Sequence, residues 1–311
     1  MQSPSRSPSA RRVALIGAPF NSAGTAGGVA KGPAVLRESG LLARMHSSGV
    51  SVRDTGDVAV GSPQPLRDAL TGLLAIGSLQ ATTVGLTDAV AGTIAAQQIP
   101  LVLGGDCAVL VGAIAGAASR EATPGLIFID GHEDAWPPLV SHSGEVADSE
   151  LGLLLGINQL DPASILARGL HILPGANVAV LGPRDEREIS ASGIPSIAER
   201  VGVFLDASGL VNDLDSGKTV AQNFASRGLS WWLHVDLDVL STAALPAVDY
   251  LQPGGLSWEQ LRTLVFGATS TAGCIGVSVC IYNPDLDPNR VGAASVVEFL
   301  TELVAELSQA S

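Results

Sequence analysis

Two short stretches gather acids and imidazoles where an apolar run stops. Leu126 to Ile129 breaks into Asp130-Gly131-His132-Glu133-Asp134, and Trp231-Trp232-Leu233 runs into His234-Val235-Asp236-Leu237-Asp238. A short apolar run reads as a buried strand, and in an extended segment residues i, i+2 and i+4 point the same way. Each stretch is therefore expected to aim its polar side chains at one point beyond a strand end. Asp130, Asp134, Asp236 and Asp238, packed that closely, would repel one another and raise each other's pKa values. A pair of divalent cations removes the conflict, with Asp130 and Asp236 as candidate bridges. Mixed oxygen and nitrogen donors suit an ion of the manganese type, or zinc. Two such ions about 3.5–4 Å apart share a water and lower its pKa from about 15.7 towards ~7. At about 1.36 kcal/mol per unit, that is roughly 10 kcal/mol towards making a nucleophile. The residues alone also admit a plainer reading, in which an acid cluster caps a helix or faces solvent.

The elements that must position these residues can be read in order. Strands are expected at Val13 to Gly17, Val50 to Arg53, Pro100 to Leu103, Leu126 to Ile129, Asn177 to Leu181, Val201 to Leu205, Trp231 to Asp238 and Ile275 to Tyr282. Between them the spacing predicts helices from Pro33 to Gly40, Leu66 to Gln98 with a break near Gly85, Ala108 to Ser119, Ser149 to Gly156 and Leu210 to Ser226. Two more follow Ser257, a plausible N-cap, and cover Ala294 to Leu307. Val-, Ile- and Leu-rich strands alternating with helices are the signature of an α/β fold with a mainly parallel sheet covered on both faces. No repeat and no long linker divides the chain, so residues 13–311 are expected as one domain behind a mobile Ser/Pro/Arg-rich arm, residues 1–12. In such sheets ligands bind outside the carboxyl ends of the strands, where Asp106 and both acid clusters fall.

Composition narrows the function classes. With 46% hydrophobic against 15% charged residues the chain is globular, and its net charge of −13 argues against a general binder of nucleic acid or of anionic membranes. No apolar run approaches the length of a membrane span. Three cysteines, Cys107, Cys274 and Cys280, fit a reducing cytosol better than a disulfide scaffold, so a cytoplasmic protein is expected. Ser216-Gly217-Lys218-Thr219 imitates a phosphate loop, but the earlier glycine position is Asn212 and the segment reads as helix.

Gly104-Gly105-Asp106-Cys107, Asp130-Gly-His132-Glu-Asp134 and His234-Val-Asp236-Leu-Asp238 together resemble the three metal-binding motifs of the arginase (ureohydrolase) family. Gly182-Pro-Arg184-Asp185, Gly254-Gly255-Leu256 and Tyr282-Asn283-Pro284 have counterparts in the same order. The resemblance implies an arginase-like three-layer α/β/α fold, two divalent metal ions (manganese foremost), and a homo-oligomer of three or six chains. It also implies hydrolysis of a guanidine or amidine C–N bond of a small molecule by metal-bound hydroxide. Asp130 and Asp236 resemble the bridging ligands, His132 and Asp238 the ligands of one metal, and Asp134 a ligand of the other that also orients the hydroxide. His142 stands where the family places a proton-shuttling histidine, and Asp185 resembles a polar residue near the substrate.

Three departures from the family pattern bear on this expectation. Cys107 occupies the place of the usual first ligand histidine. A thiolate there favours zinc, iron, cobalt or nickel over manganese, or else Cys107 stays a thiol and leaves that metal exchangeable. Trp136 replaces an asparagine that helps hold the amino-acid head of the substrate. Ile281 replaces a glutamate that grips the guanidinium, a charge-assisted bond contributing roughly 1.5–3 kcal/mol. The expected substrate is therefore a guanidino, amidino or ureido compound other than L-arginine. A non-catalytic family member, acting as a partner subunit or small-molecule binder, is the rival reading.

Overall fold

The computed structural model describes residues 11–120, 122–160, 166 and 170–309. Eight strands form one sheet: β1 (Arg12–Ala18), β2 (Val52–Asp57), β3 (Gln98–Gly104), β4 (Gly125–Ile129), β5 (Val178–Leu181), β6 (Val203–Leu205), β7 (Trp231–Asp236) and β8 (Cys274–Cys280). Their order is β2-β1-β3-β8-β7-β4-β5-β6, and every pairing is parallel. The inner strands are apolar on both faces because helices cover both, the pattern expected of a parallel sheet. In β4, Leu126, Ile127, Phe128 and Ile129 are all fully buried. Each such side chain contributes about 1.5–3 kcal/mol by leaving water, which fixes the strand that delivers Asp130.

The helices are α1 (Gly32–Glu38), α2 (Leu41–Ser47), α3 (Ile76–Ala95), α4 (Val109–Ala118), α5 (Glu150–Leu154), α6 (Glu186–Ser192), α7 (Ala207–Asn212), α8 (Ser216–Ser226), α9 (Trp258–Thr269) and α10 (Val291–Gln309). They pack in neighbouring groups, α3 against α4, α8 against α9, and α10 against both α2 and α9. The result is the three-layer α/β/α arrangement expected. Ser257 caps α9 through a reciprocal capping box with Gln260, an arrangement whose loss costs roughly 0.5–2 kcal/mol. Trp231 and Trp232 are fully buried between the layers.

The structure corrects several boundaries. Residues 1–10, most of the expected arm, lie outside the described residues, and Arg12 already belongs to β1. The helix expected from Leu66 begins only at Ile76, because Arg67 and Leu74 pair in an antiparallel bridge around Gly72. It then runs unbroken through Gly85, whose missing side chain accommodates Val58. The helix expected over Leu210 to Ser226 is two, α7 and α8, interrupted at residues 213–215. The phosphate-loop imitation forms the start of α8, where Gly217 abuts the Leu264 backbone. β7 stops at Asp236 and β8 at Cys280, each two residues short of the expected end. Among the described residues no helix is long and apolar enough to cross a membrane.

Candidate metal centre

β3, β8, β7 and β4 lie side by side at the centre of the sheet, and their carboxyl ends carry the candidate ligands. The two acid clusters do converge, but by turning rather than by extension. Asp236 Oδ1 accepts the Asp238 N–H at 2.6 Å, which folds Leu237–Val239 into a 3-10 turn. Asp130 Oδ1 accepts the His132 N–H at 2.7 Å in the same way, and Asp134 takes a left-handed backbone, φ 43°. The expected period-two strand continuation is thus replaced by side-chain-capped turns. Gly131 is required in one of them: a Cβ there would lie 2.5 Å from Arg184 Nη1 and 2.7 Å from Asp238 Oδ1. Its N–H instead donates to Asp238 Oδ1 at 2.9 Å.

The structure brings donor atoms of Cys107, Asp130 and Asp236 within 4.8 Å of one another, and does the same for Asp130, His132 and Asp134. Asp130 is common to both groups, the position a bridging ligand needs. Asp238 joins through His132, whose Nδ1 lies 2.9 Å from its Oδ2. Asp130 Oδ2 is buried and has no hydrogen-bond partner, which leaves a carboxylate oxygen of the shared residue free to bind a cation.

Charge argues the same way. Burial, then the Asp238 carboxylate, pushes Asp130 up to about 7. Burial, with Asp130 and Glu150, pushes Asp134 well above the carboxylate range, and burial with Asp238 and Asp130 does so for Asp236. For Asp238 burial is outweighed by His132 and Arg184, which hold it below the ordinary value. His132 is the counterpart: burial opposes its charge, but Asp238 and Asp130 prevail and raise it. Burial, the Cys280 thiol and the Asp236 carboxylate raise Cys107 well above the usual thiol value. Acids that repel one another in a dry pocket, with a free buried oxygen among them, fit divalent cations.

A cavity of about 600 Å³ opens over this cradle. Trp136, His142, Asp185 and Ile281 all line it, along with Asp134, His132, Asp236 and Asp238. The Trp136 and His142 rings lie 6.2 Å apart, tilted by 56°, with His142 exposed at the mouth. Asp185 Oδ2 accepts the Glu133 N–H at 3.1 Å while its Oδ1 is buried without a partner. Ile281 sits at φ 73°, costly for a β-branched residue, and its N–H donates to the Gly105 carbonyl at 2.8 Å.

One feature escaped the sequence reading. Glu150 is fully buried, neither carboxyl oxygen has a hydrogen-bond partner, and burial with Asp130 raises it well above its ordinary value. The N–H groups of Leu151 and Gly152 donate to the Asp134 carbonyl, so α5 presses Glu150 against the cradle. The signal was present as a lone acid opening the apolar run Leu151-Gly-Leu-Leu-Leu155. Asp106 is also buried, and burial raises it to about 7 although Ser22 donates to it from both backbone and hydroxyl. The rim adds Glu145, Asp148, Glu188 and Asp249, and among the described residues no lysine or arginine lines the cavity.

Comparison with known proteins identifies the family and the fold. The family model for the arginase family matches residues 11–305. The arginase of Bacillus subtilis (strain 168) is 27% identical over 299 residues, spanning 95% of this chain and 98% of that protein. The solved arginase of Bacillus caldovelox superposes with a TM-score of 0.79 at 24% identity, covering 94% of this chain and 98% of the other. The formimidoylglutamase of Bacillus subtilis superposes with a TM-score of 0.73 at 17% identity, covering 97% and 88%. A family match over nearly the whole length, on a sheet whose central strand ends converge on one acid cradle, shows that the chain belongs to the arginase family.

Proposed function

We propose that this chain hydrolyses a C–N bond of a guanidino or amidino small molecule whose far end carries no carboxylate. Two divalent cations, held by Cys107, Asp130, His132, Asp134, Asp236 and Asp238, would supply the Lewis acidity that turns water into a nucleophile. The chain's own residues do the rest. Asp134, fixed by its left-handed turn and crowded by Glu150, offers a carboxylate that orients the attacking water towards the central carbon. His142, exposed beside the cavity, can carry a proton between the leaving nitrogen and solvent. Trp136 and Ile281 give the cavity apolar walls near the cradle.

The observation that carries the substrate class is the rim. Glu145, Asp148, Asp185, Glu188 and Asp249 surround the cavity, with no lysine or arginine among its described lining residues. Histidines and the proposed cations apart, a substrate carboxylate at this rim would meet like charge, whereas an amidinium with an amine or neutral tail is attracted. The fold leaves this choice to the lining, since its neighbours include both an arginase and a formimidoylglutamase.

The test is release of urea, ammonia or amine from matched guanidinoalkylamines, guanidinoalkanoates and L-arginine, run with manganese, zinc, cobalt and nickel. The carboxylate-free compounds are expected to lead in kcat/KM by on the order of tenfold or more, about 1.4 kcal/mol. L-Arginine matching the best compound would overturn the substrate class. No turnover of any compound with any metal, in a folded and metal-loaded protein, would favour the non-catalytic reading.

A further inference from the structure

On the sheet side of the cradle the donors change from oxygen to sulfur and imidazole. Cys107, His234 and Cys280 are all buried, and one donor atom of each lies within 4.8 Å of the others. The β7–β8 register sets His234 beside Ser278 and Asp236 beside Cys280. Strand alternation then places all four on one face of the sheet. Gly104 makes room for the Cys280 thiol, since a Cβ there would come within 2.5 Å of its Sγ.

His234 is held in a defined orientation. Its ring stacks on Phe128 at 5.1 Å with 15° between planes, and Nδ1 lies 2.7 Å from Ser278 Oγ. Nε2 is buried and has no hydrogen-bond partner. An imidazole fixed through one nitrogen, with the other left free, is the arrangement of a metal-ligating histidine. Left as an ordinary core group, Nε2 has nothing to offset its removal from water.

We propose that Cys107, Cys280 and His234 form a thiolate–imidazole site for a zinc-type cation, with Asp236 as the fourth donor from the cavity side. Two thiolates and one imidazole are a soft donor set that zinc accepts and manganese does not favour. Asp236 is already in place, 2.8 Å from Cys107 Sγ. Ligand distances of about 2.3 Å to sulfur and 2.0–2.1 Å to nitrogen require only that the donors close in on a tetrahedral ion. Binding replaces two S–H bonds with two metal–sulfur bonds, and the two protons leave to solvent. Asp236 lines the cavity, so the ion can enter from there. The ion held here would be the Cys107-side member of the proposed pair, not a third cation.

The test is X-ray absorption on the reduced full-length protein loaded with one equivalent of zinc. Two sulfur neighbours per zinc at about 2.3 Å are expected, falling to one in Cys280→Ser. A wild-type zinc with one sulfur or none, or a sulfur count that Cys280→Ser leaves unchanged, overturns the proposal. Alkylation followed by mass spectrometry gives a second reading that needs no variant. Zinc should protect Cys107 and Cys280 in the partly denatured, reduced protein while leaving Cys274 open; equal labelling of all three with and without zinc overturns it. Both readouts concern metal–sulfur bonding, so they stand or fall apart from whether C–N hydrolysis is found.

Discussion

Cys107 Sγ lies 2.8 Å from Asp236 Oδ2, so a thiol donates its proton to a carboxylate that would hold a cation in the proposed centre. The two groups are poised to exchange that proton for a cation. Cys107→His should therefore raise manganese affinity and lower the preference for zinc, each on the order of tenfold, the scale seen on altering one partner of a metal site. Competition titration of the two ions checks this, and unchanged affinities would place Cys107 away from the cation.

Asp130 is shared by both oxygen-rich groups of donors. Asp130→Ala should drop the metal content from about two ions per chain to one or fewer, with at least a ~10²-fold loss of hydrolysis. Elemental analysis of the purified variant reads the first effect directly. Two retained ions would show that the cradle does not hinge on this carboxylate.

Metal-free protein should lose stability as pH rises. Burial and Asp238 place Asp130 at about 7 in the folded chain, against 3.8 for an ordinary aspartate. The folded state therefore holds a proton that the unfolded state has released. This contribution is fully present below the unfolded value and is lost as pH rises from there through about 7. Asp134, Asp236 and Glu150 shift in the same direction. Saturating cation should flatten or reverse the slope, because bound metal favours the ionised carboxylates. Thermal melts across pH with chelator and with metal test it; a chelated protein that gains stability between pH 4 and about 7 would contradict the assignment.

Ile281 and Trp136 line the cavity where a guanidinium and a substrate tail would lie. Ile281→Glu should improve turnover of guanidinium compounds by about 10- to 100-fold in kcat/KM, the worth of a charge-assisted hydrogen bond of roughly 1.5–3 kcal/mol. Trp136→Asn should narrow the gap between L-arginine and a guanidinoalkylamine. A double variant as selective as the parent would show that neither residue sets specificity.

Gly131→Ala forces a methyl group to within 2.5 Å of the Arg184 guanidinium and 2.7 Å of Asp238. Overpacking of that sort costs typically about 1–3 kcal/mol. The loss should appear mainly as weaker metal binding, because the displaced groups hold His132 and the turn. A variant with parental metal affinity would mean that Arg184 yields without moving Asp238.

The sequence foretold where the ligands meet better than how they arrive there. The apolar runs before Asp130 and Asp236 gave β4 and β7, and the strand ends did converge. The route was hidden because Asp130 and Asp236 each bend the following backbone with their own side chains, a local bond that overrides alternation. Leu66 to Ala75 carries helical spacing, yet Arg67 ties that stretch to the carbonyls of Gly72, Pro138 and Ser141, and long-range contacts outweigh propensity. Glu150 was overlooked for a similar reason: only the fold brings α5 beneath Asp134.

The four central strands are neighbours in space but not along the chain. β3 pairs with β8, and β7 sits between β8 and β4, so Cys107 reaches Asp236 across 129 residues. Contacts of that separation form late and slowly during folding. A nascent or nicked chain that lacks β7 or β8 therefore has no cradle to load, however well its first strands are formed. With the proposed cations bound, metal occupancy would report that both halves of the sheet have closed, and a cation that binds only the closed form would draw the last assembly step forward by mass action.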